Sequence, residues 1–256
     1  MIEIKNGYYR YPNKKYILND ITFSLDKGET LTILGKNGTG KTTMLKCIAG
    51  LLRWEKGEML VNGVNAHKNF ELLSHEIGYV PQMRNISFPY TVREMILMGR
   101  AKHIGILSTP NRSDQMIVDA IIEEFGIDDI RNCPCTELSG GQLQLVYIAR
   151  SLVSNPRILI LDEPESHLDF KNQHMIMGLI RRITEEKQLT CIINTHYPEH
   201  ALKISDKTLL INNYDYIFGS TEDIVTEENI KKYYDIDIKM LEFMHENIMH
   251  KTIVAL

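Results

Sequence analysis

Gly35-Lys36-Asn37-Gly38-Thr39-Gly40-Lys41-Thr42 follows a short apolar run, Leu31 to Leu34, and precedes a segment with helical apolar spacing. This is the pattern G-x-x-x-x-G-K-[ST] between a strand and a helix, and it constrains the fold more than any other feature of the chain. The glycines let successive backbone N–H groups curl around an anion. The helix that follows turns its unbonded N–H groups and positive dipole end to the same point. Such a loop belongs at the carboxyl end of a buried parallel strand, so an α/β core with a mostly parallel sheet is expected. Lys41 is expected to reach nucleotide phosphates and the Thr42 hydroxyl to ligate magnesium. Gly35, Lys36, Asn37, Gly38, Thr39, Gly40 and Thr43 complete the cradle.

The remaining chain alternates strand-like and helix-like segments. Ile2 to Tyr8 and Ile21 to Leu25 read as strands around the polar turn Pro12-Asn13-Lys14-Lys15. Leu45, Ile48, Ala49 and Leu52 recur at the spacing of one helix face, and Gly50 and Trp54 to Gly57 mark its end. Glu58 to Val61 and Ile77 to Val80 are further strand candidates. From about Met83 to Asn155 the texture turns helical. Thr91, with Glu94 three residues on, predicts a capped helix over Val92 to Met98. After a loop over 101–112, Ser113 predicts the cap of a second, with Ile117, Ala120, Ile121 and Phe125 on one face. Leu145, Ile148, Ala149, Leu152 and Val153 line a third. Ile158 to Leu161 and Thr190 to Asn194 return to buried strand, separated by a helix carrying Ile176, Leu179, Ile180 and Ile183. Lys207 to Ile211 and Tyr214 to Phe218 read as a terminal hairpin around Asn212-Asn213. The 256 residues suffice for one large α/β domain. The pattern predicts a parallel-sheet core, about 1–82 and 156–256, with a helical subdomain inserted at 83–155.

Two further stretches bear on chemistry. Arg157 to Pro164 is an apolar strand that delivers Asp162 and Glu163 at its carboxyl end, where α/β sheets bind ligands. Asp162 is expected to join Thr42 in holding magnesium. Glu163, one step along the pleat, points elsewhere and is free to polarise an attacking water. In Leu138-Ser139-Gly140-Gly141-Gln142, Ser139 caps a helix whose first amides are left uncovered by glycine. That segment reads either as a second anion cradle or as an ordinary capped helix.

GKNGTGKTT, LSGGQ and LILDEP, in this order and spacing, resemble the ATP-binding subunits of ABC transporters over nearly the whole chain. The resemblance implies a P-loop NTPase core with an N-terminal antiparallel β subdomain and an inserted helical subdomain. It implies hydrolysis of ATP with Mg2+ by a head-to-tail pair of copies. In that pair, Ser139, Gly140, Gly141 and Gln142 of one copy cap the γ-phosphate held by the other. It also implies roles residue by residue. Tyr11 would stack on adenine, with Tyr8, Tyr9 and Tyr16 as nearby competitors. Gln82 matches the glutamine that contacts magnesium and the attacking water, Glu163 the general base, and His196 the switch histidine at the γ-phosphate. Asp169, closing Ser166-His167-Leu168-Asp169, would lie at the dimer interface.

A finer likeness lies in Thr91 to Arg100, in that Ser-His-Leu-Asp stretch and in Ser220 to Ile230. These are similar to importers of iron-siderophore, haem, cobalamin and molybdate, although Thr91 to Arg100 also reads as plain helix with a buried Ile96-Leu97 face. The likeness implies permease subunits docking between Gln82 and Arg100, with Phe88, Pro89, Tyr90 and Met95 forming a groove, and a substrate-binding protein engaged indirectly through them. A soluble ABC-type ATPase, for cluster assembly or similar work, is the alternative. Two departures stand out. Leu143 and Leu145 occupy positions that are often basic, and Glu165 replaces a small residue such as threonine. The added carboxylate either raises the apparent pKa of the pair it forms with Glu163 or points to solvent.

Composition narrows the partners. Acidic residues (33) outnumber basic ones (29), so no general basic field invites nucleic acid. The four cysteines lack metal-ligand spacing and read as reduced thiols. No apolar run approaches the ~20 residues of a membrane span, and the start lacks a secretory apolar region. A role at the cytoplasmic face of a membrane would require permease subunits to hold the chain there.

Overall fold

The computed structural model describes every residue except 83–87, 105–107 and 246–247. The start of the expected helical block, part of the expected permease stretch and part of the 101–112 loop therefore lie outside the described residues. The chain begins with β1 (Ile2–Tyr9), β2 (Leu18–Leu25) and β3 (Thr30–Leu34). The phosphate loop then leads into α1 (Lys41–Ile48), β4 (Lys56–Val61), β5 (Val64–Asn65), α2 (Phe70–Glu76) and β6 (Ile77–Val80). The helical block holds α3 (Val92–Leu97), α4 (Arg112–Glu124) and α5 (Gly140–Leu152). The core resumes with β7 (Ile158–Asp162), α6 (Phe170–Lys187), β8 (Thr190–Asn194), α7 (Pro198–Ile204), β9 (Lys207–Ile211) and β10 (Tyr216–Ser220). The chain closes with α8 (Thr221–Ile224), α9 (Glu227–Tyr234), β11 (Ile238–His245) and β12 (Ile248–Ala255).

Among the described residues the strands form three sheets, ordered β2-β1-β4-β5, β10-β9-β3-β8-β7-β6 and β11-β12. The first is antiparallel. The second is parallel apart from its edge strand β10. β3, β7 and β8 are buried throughout their length because both faces of the parallel sheet are covered. In β7, Ile158 and Ile160 join α1 and the antiparallel sheet in one core cluster. Leu159 and Leu161 face the other way and pack with α3, α4, α5 and α6. The helical block thus shares its core with one face of the parallel sheet.

Helix starts follow the local capping chemistry. Thr91 caps α3 with a complete capping box to Glu94, as its spacing predicts. Ser113 does not cap α4. Asn111 does, in a box with Asp114, because its side chain meets the Asp114 amide two residues earlier than expected. The buried face of α4 runs through Asp114, Val118, Ile121 and Ile122, and Ala120 is exposed. Arg100 explains that shift: it pairs with buried Asp114 at 3.0 Å, which turns the helix face toward it. α1 stops at Ile48, so Leu52 lies beyond the helix and packs on the core from the following turn. The β9–β10 hairpin is not terminal, since α8, α9 and the β11–β12 hairpin follow it. Met95 departs from the expected groove as well. It is 5 % exposed in the core, whereas Phe88 is 65 % exposed and Tyr90 40 %. Ile96 is likewise buried and Leu97 partly so.

The segment after α3 crosses α5 at close range. A Cβ on Gly99 would lie 2.0 Å from the Arg150 carbonyl oxygen and 2.6 Å from Val153 Cγ1. Backbone cannot yield there as a side chain can. Gly99→Ala is expected to cost about 1–3 kcal/mol, read as a lower denaturant midpoint, and a midpoint equal to wild type would refute this packing.

Candidate functional site

The site sits at one edge of the parallel sheet. β3, β8, β7 and β6 are neighbours and run in the same direction, so their carboxyl ends align. β3 leads into the phosphate loop, β8 into Thr195 and His196, β7 into Asp162 and Glu163, and β6 into Pro81 and Gln82. Residues more than 150 positions apart meet for this reason alone, Lys41 and His196 among them.

The loop keeps its amides free. Gly40 takes the N-cap position of α1 with φ 100° and offers no side-chain cap. A Cβ there would stand 2.7 Å from Ile17 Cγ2, which ties the residue choice to space as well as to backbone angle. Lys41 is 4 % exposed, and its ammonium donates to the carbonyls of Gly35 (2.7 Å) and Lys36 (2.9 Å). Burial pushes it down to about 8, against the pull of Glu163 and Asp162. Thr39 is buried and donates to the Lys36 carbonyl at 2.9 Å, while Lys36, Asn37 and Gly38 are exposed at the loop tip.

Asp162 is 2 % exposed and accepts three hydrogen bonds: from Thr42 Oγ1 (3.0 Å), Asn194 Nδ2 (2.6 Å) and Tyr79 OH (3.2 Å). The Thr42 hydroxyl and the Asp162 carboxylate are hard oxygen donors beside the phosphate loop. Among the described residues no cluster of three or more His, Cys, Asp or Glu could hold a metal alone. One or two protein oxygens completed by phosphate and water is the way Mg2+ is usually held, so these residues fit it.

Glu163 is at the centre of the hydrogen-bonded group. Its Oε1 lies 2.6 Å from His196 Nε2 and its Oε2 accepts from Gln82 Nε2 at 2.7 Å. The bond with His196 is the largest of the influences that hold its carboxyl below the usual range, and Lys41 adds to it. An ionised Glu163 fixes the tautomer of a neutral His196: Nε2–H donates to the carboxylate, and Nδ1 faces Lys41 Nζ at 3.5 Å. Glu163 does point away from the partners of Asp162, but the pleat is not the cause. β7 ends at Asp162, and Glu163 has φ 50°, a left-handed backbone that turns its side chain. Non-glycine residues hold that conformation at a cost, and sites are where such cost is tolerated.

Tyr11 is half-buried, its hydroxyl 3.3 Å from Thr43 Oγ1. Tyr9 is a core residue packed edge-on to Tyr11, and Tyr8 pairs with Tyr16. Among the described residues no hydrogen bond joins 139–142 to the phosphate loop of the same chain. Ser139 caps α5, accepting from the Gln142 amide at 3.3 Å, and the Gln142 side chain returns to the Ser139 amide at 3.0 Å. The Gly140 and Gly141 amides fall among the first N–H groups of a helix, which have no intrahelical acceptor. Asp169 caps α6 through the Asn172 amide at 2.8 Å. Leu143 and Leu145 pack partly buried against the core. Glu165 does not point to solvent, being 1 % exposed. Burial pushes Glu165 up, with the Glu163 charge adding to it, while Glu163 itself is held down by His196 and Lys41.

Sequence reasoning missed Asn194, Tyr79 and Tyr234. Asn194 ends an apolar strand as a buried amide, which was a readable signal. The hydroxyl of Tyr234, from α9, accepts from the Gly35 amide at 2.9 Å, and nothing in the local sequence indicates that.

The ABC transporter family model matches residues 18–166. The chain is 30 % identical over 260 aligned residues to the molybdate import ATP-binding protein MolC of Haemophilus influenzae, covering 99 % of this chain and 98 % of that protein. A structure described as a metal-chelate type ABC transporter, inward-facing, is 30 % identical with a TM-score of 0.90, covering 100 % of this chain and 96 % of its own. A dimeric ATP-binding cassette in a post-hydrolysis state, bound to ADP and Pi, is 25 % identical with a TM-score of 0.73, covering 86 % and 99 %.

The depressed Lys41 gives a pH dependence. Its free ammonium loses its proton near pH 8 rather than at its ordinary 10.5, and neighbouring phosphate charge favours the ammonium. Binding of ADP above about pH 8 is therefore expected to take up a proton, with affinity falling as pH climbs further. Calorimetry in two buffers of different ionisation enthalpy measures this, and zero proton uptake in that range would exclude Lys41 as the titrating group.

Proposed function

The chain belongs to the ABC transporter family and is an ATPase, and on that premise we propose that it drives an importer of a chelated metal or metal oxyanion. The observation that carries the reading is the convergence of Lys41, Thr42, Gln82, Asp162, Glu163 and His196 at one sheet edge. The importer assignment is supported by the likeness to MolC and to the metal-chelate type transporter.

In this reading the loop amides of 38–42 and Lys41 hold the β- and γ-phosphates, and Tyr11 stacks on adenine. Thr42 and Asp162, with Gln82, would hold Mg2+, which would supply charge neutralisation at the transferring phosphoryl group. Glu163 accepts a proton from the attacking water, Gln82 orients that carboxylate, and His196 bridges Glu163 to the phosphate end of the site. Proton acceptance by Glu163 contributes on the order of 10²–10⁴-fold. The amides of Gly140 and Gly141, with Ser139 and Gln142, serve ATP bound by a second copy, and Asp169 lies at the same two-fold interface. ATP closes this pair, and hydrolysis reopens it.

Among the described residues no helix is long and apolar enough to cross a membrane, so permease subunits hold the chain at the cytoplasmic face, and a substrate-binding protein acts through them. The docking groove is revised from the sequence expectation. A cleft of about 510 Å³ lined by Tyr90, Glu94, Leu97, Met98, Ala101 and Ile104 replaces the one that included Met95. Its apolar lining suits a short permease helix.

Two measurements test this. Glu163→Gln is expected to lower kcat by roughly 10²–10⁴-fold and to accumulate as an ATP-bound dimer in size exclusion. Monomers of both proteins with wild-type turnover would defeat the paired site. Tyr90→Ala with Leu97→Asp is expected to abolish co-purification with the permease while ADP affinity stays at the wild-type value. Retained co-purification would move the docking surface elsewhere.

A further inference from the structure

Glu165 departs from the family pattern, and among the described residues no acidic side chain is less exposed. The turn that carries it leaves β7 through two left-handed residues, Glu163 and His167. Backbone bonds from the Ser166 amide to the Glu163 carbonyl (3.1 Å) and from the Leu168 amide to the Glu165 carbonyl (3.3 Å) close the turn. The Glu165 side chain reaches inward to the segment that follows β8. Its Oε1 is hydrogen-bonded to Thr195 Oγ1, and its Oε2 has no partner. Thr195 Oγ1 also lies 3.2 Å from His200 Nδ1 and accepts from the Tyr197 amide at 3.2 Å.

Two arrangements of protons use the Thr195 hydroxyl fully. An ionised Glu165 would be a buried charge bonded to Thr195 and its own backbone amide, with one orphan oxygen, an expensive state. Thr195 would then donate to the carboxylate and accept from the Tyr197 amide and from His200 in its Nδ1–H tautomer. If Glu165 keeps its proton, it donates to Thr195 and Thr195 donates to His200 Nδ1. The two lone pairs of Thr195 then accept from Glu165 and from the Tyr197 amide, and the hydroxyl is fully used. Burial pushes Glu165 up, and burial with Lys203 pushes His200 down to about 4. The charged or titratable groups facing them are Glu163 and His196 on one side and Glu199 and Lys203 on α7.

Thr195 and Tyr197 flank His196, whose Nε2 lies 2.6 Å from Glu163. We propose that Glu165 is a positioning residue for this turn: its carboxyl, relayed by the Thr195 hydroxyl to the Tyr197 amide and His200, holds His196 against Glu163. It touches no substrate atom and acts only through Thr195. The inference rests on the roles given above to Glu163 and His196. Its consequence is that the exit of β7 and the exit of β8 move as one unit.

The test is steady-state ATP hydrolysis by wild type, Glu165→Ala, Glu165→Gln, Thr195→Val and the Glu165→Ala/Thr195→Val double variant. Glu165→Ala and Thr195→Val are each expected to lower kcat on the order of 10–100-fold, with the KM for ATP and the Kd for ADP within about twofold of wild type. Glu165→Gln, whose amide can donate to Thr195 or accept from it, should stay within about threefold of wild type. The double variant should be no worse than the poorer single one, since both cut the same relay. Glu165→Ala with wild-type kcat and only a lower Tm would overturn the inference, as would Glu165→Gln impaired as badly as Glu165→Ala. If Glu165→Ala does not fold, the nearly isosteric Thr195→Val decides by the same kcat against KM comparison. A wild type without ATPase activity would defeat the catalytic reading beneath the inference; an active wild type with unimpaired variants would defeat the inference alone.

Discussion

The parallel ladder of β3, β8, β7 and β6 is the constraint on which the site depends. Parallel pairing obliges each strand to return through a crossover, so the chain between two strands is long and the strands end at the same edge. Four connections therefore open at one line in space, and each delivers a different chemistry: amides and an ammonium, a histidine, two carboxylates and an amide side chain. The ladder survives only if both sheet faces are covered. The antiparallel sheet with α1 covers one, and the helical block covers the other. The block that carries Ser139 to Gln142 is thus packed on the back of the strands that carry Asp162 and Gln82.

Within that edge, environment separates groups that sequence leaves alike. Glu163 and Glu165 are two residues apart and chemically identical. The left-handed backbone at Glu163 brings its side chain toward His196, Gln82 and Lys41, where ionisation is favoured. Glu165 turns into the interior behind the same turn, where burial favours the neutral acid. One carboxyl held down and one pushed up result from a single reversal of the chain. Lys41 is a third case. Its burial weakens its hold on a proton, and a group in that condition gains most from the arrival of phosphate charge.

Local chemistry was legible wherever it acts over a few residues. The phosphate loop, the Thr91–Glu94 capping box, Ser139 as a cap and the strands β3, β7 and β8 all rest on neighbours within one turn or on one unbroken apolar run. Errors arose where a distant partner decided the outcome. Asn111 rather than Ser113 starts α4 as the buried Arg100–Asp114 pair sets the helix face. Met95 has the spacing of an exposed residue as readily as of a core one, and packing with the rest of the helical block settles it inward. The β11–β12 hairpin has no alternating pattern, since it is a two-stranded ribbon with exposed apolar residues on both faces.

By itself the sequence determined that this chain folds as an α/β domain around a phosphate loop, with two carboxylates at a strand end and a second capped glycine pair. Each of those rests on residue types at short, fixed spacings, which backbone geometry translates directly. Only the tertiary structure decided which way Glu163 faces, that Glu165 is buried, that Asn194 and Tyr79 hold Asp162, and that Tyr234 reaches the Gly35 amide across 199 positions. Such contacts depend on strand order and on the direction of side chains between separate elements. Neither is written in any local window of residues, because burial and hydrogen bonding at these points come from parts of the chain that only folding brings together.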